Sequence, residues 1–369
     1  MLRSSSIITG PLRYLRRPFE ANVRAGQSVL VVTDTAQDPR VWQAIMTIVA
    51  DIGAEPTLAL FEPRPADYYN PPDVVAAAML QSDVNVLVAS TGMGHSPAAI
   101  AAMKAGAMTI QMDGQLTLEM FQRGAATADY LEIARMKHYT ACNVYGLDAK
   151  EVRVTSSLGT DITYSVEGRI RIPPLRPDDW NPYAAYRRTE EGMKNSPRYL
   201  VLFPGGEYNV APIEVTANGK VVLDLTMHSL GRLSTPIELE VVSGRIVNIT
   251  GGADAWRLRR HLQDHGDDNA YMFPTEASIG LNKAARIVGE QREDKNIYGS
   301  MHFGLGTNSD VGGTVSSNLH MDGVILEPTL YVDGVKKLEG GEFFVPLDRY
   351  ADARAEAYGA TTYQLDGSR

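Results

Sequence analysis

The chain is poor in cysteine: among 369 residues there is one, Cys142. A single thiol excludes an intramolecular disulfide, a thiolate zinc cluster and a CxxC redox centre. No apolar run approaches the roughly 18–20 residues of a membrane-spanning helix. The basic N-terminal stretch, residues 1–17, lacks the continuous apolar core of a secretory signal, so cytoplasm is the expected location. Basic residues are also short: 35 Lys+Arg against 44 Asp+Glu give a formal charge of -9. Such a chain has no general excess of cations to neutralise phosphates, which disfavours a nucleic-acid partner. What remains is an ordinary soluble composition, 44% hydrophobic and 21% charged, with seven histidines and many carboxylates for chemistry.

The pattern of residues predicts two domains, an α/β unit over 1–150 and an α+β unit over 151–369. In the first, short β-rich runs at 28–33, 57–61, 84–89 and 108–112 alternate with helical patterns at 40–52, 73–81 and from Pro97 onward. Apolar strands separated by helices indicate a doubly wound parallel sheet. After about Lys150 the period falls to two. Residues 151–155 and 161–166 flank Leu158-Gly159 as a hairpin, and further alternating runs lie at 221–225, 237–242 and 245–250. Gly219-Lys220 and Ser243-Gly244 are expected as turns between them. A helix over 257–265 and a strand-rich stretch over 301–335 complete a mixed, largely antiparallel domain. The Pro-rich segment 172–177 is expected to be an internal loop.

Two places attract chemical interest. The loop Thr91-Gly-Met-Gly-His95 joins a strand to a helix, where backbone amides can receive an anion. It lacks the third glycine and the downstream acid of a dinucleotide fingerprint, so turn chemistry is the favoured explanation. His95 lies at the end of a strand that faces a ligand crevice in such sheets. The second place is later in the chain. His320 and Asp322 are two residues apart, a spacing that on a strand projects both side chains from one face toward a shared ion. His302 interrupts an apolar, glycine-rich run, and Glu207 and Glu276 are isolated carboxylates among small and apolar residues. An unpaired carboxylate in such surroundings calls for a cation or an arginine. Tyr208, Trp256, Tyr271, Phe273 and Tyr298 are candidates for either an aromatic pocket or the core. Trp180 and Tyr183 are candidates for a dimer contact.

The blocks Gly206–Pro212, Glu276–Asn282, His302–Gly306 and His320–Asp322, in that order, resemble the metal-ligand blocks of the aminopeptidase T/aminopeptidase S family of metallopeptidases. Residues 152–161, followed by Gly168-Arg169, are similar to the same family. The resemblance implies an α/β N-terminal domain, a metal-bearing C-terminal domain and a homodimer. It places Glu207, Glu276, His302, His320 and Asp322 on ligand positions. The family's further glutamate falls on Ile297 and its tyrosine on Ser309.

The chain also resembles the 2,5-dihydroxypyridine dioxygenase branch of that superfamily, in which a 2-His-1-carboxylate triad holds iron. His320 and Asp322 match two of its members, and the branch's first histidine aligns with Glu276. His302 is a candidate for the second imidazole, and His95 for an acid/base residue supplied by the first domain.

Two enzymatic readings follow, and a third without turnover. In the first, Zn, Mn or Co activates water for a hydrolase acting on a small amide or amino-acid-like substrate, with Glu276 as general base. In the second, Fe(II) serves a ring-cleaving dioxygenase in which His95 moves protons. In the third, the metal only stabilises a binding protein. Because more hydrolase ligands than oxygenase ligands are retained, the hydrolase ranks first. A small-molecule substrate, a homodimer and no membrane partner are expected in the enzymatic readings.

Overall fold

The structure, a computed structural model, describes residues 13–114, 116–170, 200–309 and 311–344. The expected loop at 172–177 and the residues Trp180 and Tyr183 lie outside the described residues.

Near the N-terminus the apolar strands form a parallel sheet. Strands β1 (Ser28–Asp34), β2 (Glu55–Phe61), β3 (Val84–Leu87) and β4 (Met108–Gln111) are joined by β7 (Leu200–Leu202) in the order β2-β1-β3-β4-β7. All the pairings are parallel. Helices α1 (Arg13–Asn22) and α2 (Pro39–Ile52) cover one face, where Phe19, Ile45 and Ile48 meet Val29, Val31 and Val86. Helices α3 (Asp73–Met79) and α4 (Pro97–Ala105) cover the other, packing Met79 and Ala102 against Leu30, Val32 and Leu87. Local chemistry sets the helix ends. The Asp38 carboxylate accepts from the Arg40 amide at the start of α2, Pro39 takes the first helical position, and Gly53 closes it at φ 87°. The strand order changes direction between β1 and β3, so the C-terminal edge there is the crevice where such sheets bind ligands.

Two antiparallel sheets make up most of the rest. One has eight strands: β5 (Glu151–Thr155), β6 (Asp161–Ser165), β9 (Asn218–Leu223), β12 (Ile237–Val242), β13 (Arg245–Gly251), β17 (Thr329–Val332), β18 (Val335–Glu339) and β19 (Glu342–Phe343). The other has six: β8 (Glu207–Val210), β10 (Thr226–Met227), β11 (Gly231–Arg232), β14 (Glu276–Gly280), β15 (Met301–Gly306) and β16 (His320–Ile325). A shared core lies between them, with Val152, Ile162 and Leu239 from the first sheet and Ala277, Phe303 and Met321 from the second. Helix α5 (Tyr130–Tyr139) adds Met136 and Tyr139 to this core, and α6 (Ala253–His265) adds Leu258 and Leu262. Among the described residues no helix is long and apolar enough to cross a membrane.

The expected α/β unit followed by a mixed, largely antiparallel unit is what the structure has. One turn assignment is corrected. Gly219-Lys220 lies inside β9, at φ 131° for Gly219, where a Cβ would stand 2.2 Å from the Asp161 carbonyl oxygen. The glycine permits close approach of the paired strand β6 rather than a reversal. Ser243-Gly244 is the turn between β12 and β13, with both residues at positive φ. The aromatic candidates also divide. Tyr208 and Phe273 belong to the core, while Trp256 on α6 is 59% exposed.

Candidate metal centre

The six-stranded sheet supplies the site by period-two geometry. Ala277 and Ile279 on β14, Met301, Phe303 and Leu305 on β15, and Met321 and Ile325 on β16 point into the core. Side chains of the intervening residues leave by the opposite face. Those residues are Glu276 and Ser278, His302 and Gly304, and His320 and Asp322. On β8, likewise, Tyr208 and Val210 enter the core and Glu207 and Asn209 take the other face. Register then aligns Glu276 with Gly304 and Gly304 with Asp322 across three adjacent strands. All five expected ligands, Glu207, Glu276, His302, His320 and Asp322, are buried in one place. They form two groups, Glu276 with His320 and Asp322, and Glu276 with Glu207 and His302, each with ligand atoms within 4.8 Å of one another.

Gly304 sits in the middle of this arrangement. A Cβ there would lie 2.9 Å from both Glu276 Cβ and His320 Cε1, and 3.1 Å from Asp322 Oδ1. Its missing side chain leaves a cradle between the donors of the first group. The outer atom of each donor in that group is already engaged. His320 Nδ1 is 2.7 Å from the Thr307 carbonyl oxygen, which fixes the proton on Nδ1 and turns the Nε2 lone pair inward. Gln291 Nε2 donates to Asp322 Oδ2 at 2.6 Å, and Lys295 Nζ stands 3.3 Å from the same oxygen. Ser278 Oγ, Asn209 Nδ2 and His302 Nε2 approach Glu276 Oε1 at 2.9, 3.2 and 3.3 Å. The inner atoms, His320 Nε2, Asp322 Oδ1 and Glu276 Oε2, face one another. His320 Nε2 is 2.9 Å from Asp322 Oδ1 and 3.5 Å from Glu276 Oε2. Three electron-pair donors converging in a buried pocket fit a divalent cation.

Electrostatics agree with that assignment. Burial pushes the Glu276 carboxyl up, but the His302 hydrogen bond and nearby imidazoles bring it down to about 2. Burial likewise opposes ionisation of Asp322, and the Lys295 ammonium and His320 hold it well below the usual carboxylate range. Both groups are therefore carboxylates at neutral pH.

The first domain closes over this face. His95, from the loop after β3, stacks on His320 with centroids 4.6 Å apart and planes at 26°. Tyr68, from the loop after β2, meets the rings of His95, His228 and His320 edge-on, at 5.1, 5.6 and 5.8 Å. Its backbone is left-handed at φ 67°, an unfavourable conformation for a tyrosine. Its hydroxyl is 3.3 Å from His228 Nδ1, and His228 Nε2 is 3.3 Å from Asp67 Oδ2. Asp67 also accepts from the Gly92 amide and the Ser229 hydroxyl. Burial pushes the Asp67 carboxyl up, yet His228 and these donors hold it well below its ordinary value.

The loop amides considered as an anion cradle are spoken for. Gly92 N serves Asp67, while Met93 N and Gly94 N donate to Asp113 Oδ2. Asp113 pairs in turn with Arg292 at 2.8 Å. The loop is a structural turn held by buried carboxylates, which agrees with the fingerprint's absence.

Residues missed in the sequence reading include Lys295, Gln291, Tyr68, His228 and Asp67. Lys295 and Gln291 belong to the run Gln291–Asn296, all six residues of which are buried. Its local composition is that of an exposed turn of helix, so it gave no signal. At the two positions where the peptidase pattern fails, Ile297 has no ligand atom and Ser309 has no phenol.

The sequence model of the 2,5-dihydroxypyridine 5,6-dioxygenase family (NicX) matches residues 13–345. The chain belongs to this family. A curated 2,5-dihydroxypyridine 5,6-dioxygenase from Pseudomonas putida KT2440 is 27% identical over 180 residues, covering 44% of this chain and 50% of that protein. The aligned part thus spans half the length of that relative. The solved structure of 2,5-dihydroxypyridine dioxygenase from the same organism superimposes with a TM-score of 0.65, at 20% identity over 92% of this chain and 98% of that one. Wild-type AmpT from Thermus thermophilus gives 0.58, at 15% identity over 90% and 99%. Both superpositions speak to the fold. Membership of the dioxygenase family overturns the ranking that placed an aminopeptidase-like hydrolase first. Retained ligand count misled because Glu207 and His302 can serve as partners of the donors and of Lys295 as well as serving a metal.

Proposed function

We propose that the chain is a metal-dependent ring-cleaving dioxygenase acting on a dihydroxypyridine-like heteroaromatic. The observation that carries the reading is the inward convergence of His320 Nε2, Asp322 Oδ1 and Glu276 Oε2 beside His95, in a chain of the dioxygenase family. Glu276, His320 and Asp322 would hold a divalent ion, ferrous iron in this reading, which when bound would supply the redox chemistry that lets dioxygen react with an aromatic ring.

The chain's own residues do the rest. Thr307 fixes the tautomer of His320, Gln291 and Lys295 aim Asp322, and Ser278, Asn209 and His302 aim Glu276. Holding donors this way lowers the reorganisation needed when substrate arrives. His95 lies against the ligand imidazole without being one of the three donors, so it is placed to take a proton from a substrate hydroxyl and return it to the cleaved product. Tyr68, anchored through His228 to Asp67, forms a wall of the pocket against His95 and His320. A cytoplasmic homodimer with a small-molecule substrate, and with no nucleic-acid or membrane partner, belongs to the same proposal.

The test is oxygen uptake by protein loaded anaerobically with Fe(II) and then given 2,5-dihydroxypyridine in air. The expected result is substrate-dependent uptake that runs parallel to loss of the ring's ultraviolet absorbance. Iron-loaded protein that leaves both oxygen and ring absorbance unchanged contradicts the proposal.

A further inference from the structure

The pocket contains donors for more than one ion. Glu276 is common to the two groups, and the second group brings Glu207 and His302 to the far side of the same carboxylate. What occupies that side is a lysine. Lys295 Nζ lies 3.4 Å from Glu207 Oε1 and 3.3 Å from Asp322 Oδ2, bridging one carboxylate of each group. The side chain is 10% exposed and comes from the buried run that also sends Gln291 to Asp322 and Arg292 to Asp113.

His302 differs from His320 in a way that matters here. His320 has its outer nitrogen, Nδ1, against a carbonyl that can only accept, so the proton sits there and the inner Nε2 presents its lone pair toward Asp322 Oδ1 and Glu276 Oε2. His302 directs its inner nitrogen, Nε2, at Glu276 Oε1, while its outer Nδ1 is buried without a hydrogen-bond partner. Because the Glu276 carboxylate can only accept, this contact favours the tautomer with the proton on Nε2, and a nitrogen that carries the proton is not available to a metal. His302 is thus arranged to orient Glu276 rather than to ligate.

Charge gives the same answer. Glu207, Glu276 and Asp322 contribute three negative charges and Lys295 one positive, a remainder of two that one divalent ion cancels. The next carboxylates, Asp67 and Asp113, are already paired with His228 and Arg292. A second divalent ion therefore leaves a buried excess of positive charge, an arrangement strongly disfavoured in a low dielectric. Lys137 on α5, buried and within the field of Glu207, adds to that excess.

We propose that Lys295 is the resident second cation of the centre: its ammonium takes the place beside Glu207, and the pocket accepts one divalent ion, on Glu276, His320 and Asp322. The inference rests on the metal centre of the proposed function but not on its substrate or on ring cleavage. Lys295 acts through the carboxylates it holds and is a positioning residue.

The experiment uses the full chain, stripped of metal and titrated with Mn(II) in the absence of substrate and oxygen. Bound metal is counted by elemental analysis, and the electron paramagnetic resonance spectrum is recorded. Native protein is expected to bind one Mn(II) per chain with the spectrum of an isolated ion, and Lys295→Arg, which keeps the charge, to do the same. Lys295→Met, which keeps the length and removes the charge, is expected to take up a second Mn(II) and to give an exchange-coupled spectrum. Two ions per native chain overturn the proposal, as does a folded Lys295→Met chain that saturates at one ion with native affinity. Should Lys295→Met fail to fold, the native and Lys295→Arg counts still decide, because a coupled pair in either one overturns it. A result of this kind leaves the oxygenase reading to its own assay, so the two can fail separately.

Discussion

The imidazoles of His95 and His320 are stacked 4.6 Å apart, although one lies in a loop of the parallel sheet and the other begins a strand of the six-stranded antiparallel sheet. The contact brings the crevice edge of the first unit onto the metal face of the second. It also separates two roles. His320 has a carbonyl-fixed tautomer and donates to the metal place, whereas His95 stands beside it. Replacing His95 with Gln is therefore expected to lower turnover by roughly 10²-fold, the scale of a lost acid/base group, while bound metal stays at the native level. Turnover is measured by oxygen uptake and metal by elemental analysis. Loss of metal in this variant would make His95 a ligand.

His320→Ala and Asp322→Ala are each expected to abolish metal-dependent activity and to empty the centre. The same elemental analysis checks this. Wild-type metal content in both variants would place the centre elsewhere.

Gly304→Ala tests the cradle directly. The added methyl would lie 2.9 Å from Glu276 Cβ and His320 Cε1, closer than such atoms approach in practice, and both neighbours belong to the donor set. The strand and its core face are untouched by the change. Metal affinity is expected to fall by about tenfold or more, with the thermal transition of the metal-free chain shifted only slightly. An unchanged metal titration would mean that the ion lies away from β15.

Much of this centre was legible in the chain. The alternation in Glu276–Gly280, Met301–Gly306 and His320–Ile325 is strict enough to separate a core face from a chemical face, and His320-x-Asp322 follows from it. The parallel sheet was legible for the same reason, since its strands are apolar runs between capped helices. What was not legible depends on contacts distant in sequence. Lys295 and Gln291 lie in a string of polar residues that reads as a surface, and only the fold reveals that their partners are buried carboxylates. Tyr68 and His228 meet because loops after β2 and β10 converge, which no local pattern encodes. Gly219 is not legible as a strand residue because a glycine needed where a paired strand lies close has the same letter as one needed for a turn.

Asp67 gives a prediction about acid stability. Its carboxyl is held below its unfolded value by His228, Ser229 and the Gly92 amide, so the folded state binds its proton less readily than the unfolded chain. A depressed carboxyl contributes fully above its unfolded value, at about pH 4, and the contribution fades as pH falls toward the folded value. Asp67→Asn is accordingly expected to cost about 3 kcal/mol at pH 7 by leaving His228 and its neighbours without their buried partner. The gap from native protein should narrow below about pH 4. Denaturant unfolding of the metal-free chain at several pH values measures it, and a gap that widens on acidification contradicts the assignment.

Ring cleavage that uses both atoms of dioxygen is the chemistry proposed for this centre. Its most direct measurement uses isotopically labelled dioxygen with Fe(II)-loaded protein and 2,5-dihydroxypyridine, followed by mass spectrometry of the open-chain product. The account predicts that both labelled atoms enter the same product molecule. A product that carries neither atom, or that forms equally well without oxygen, would contradict it.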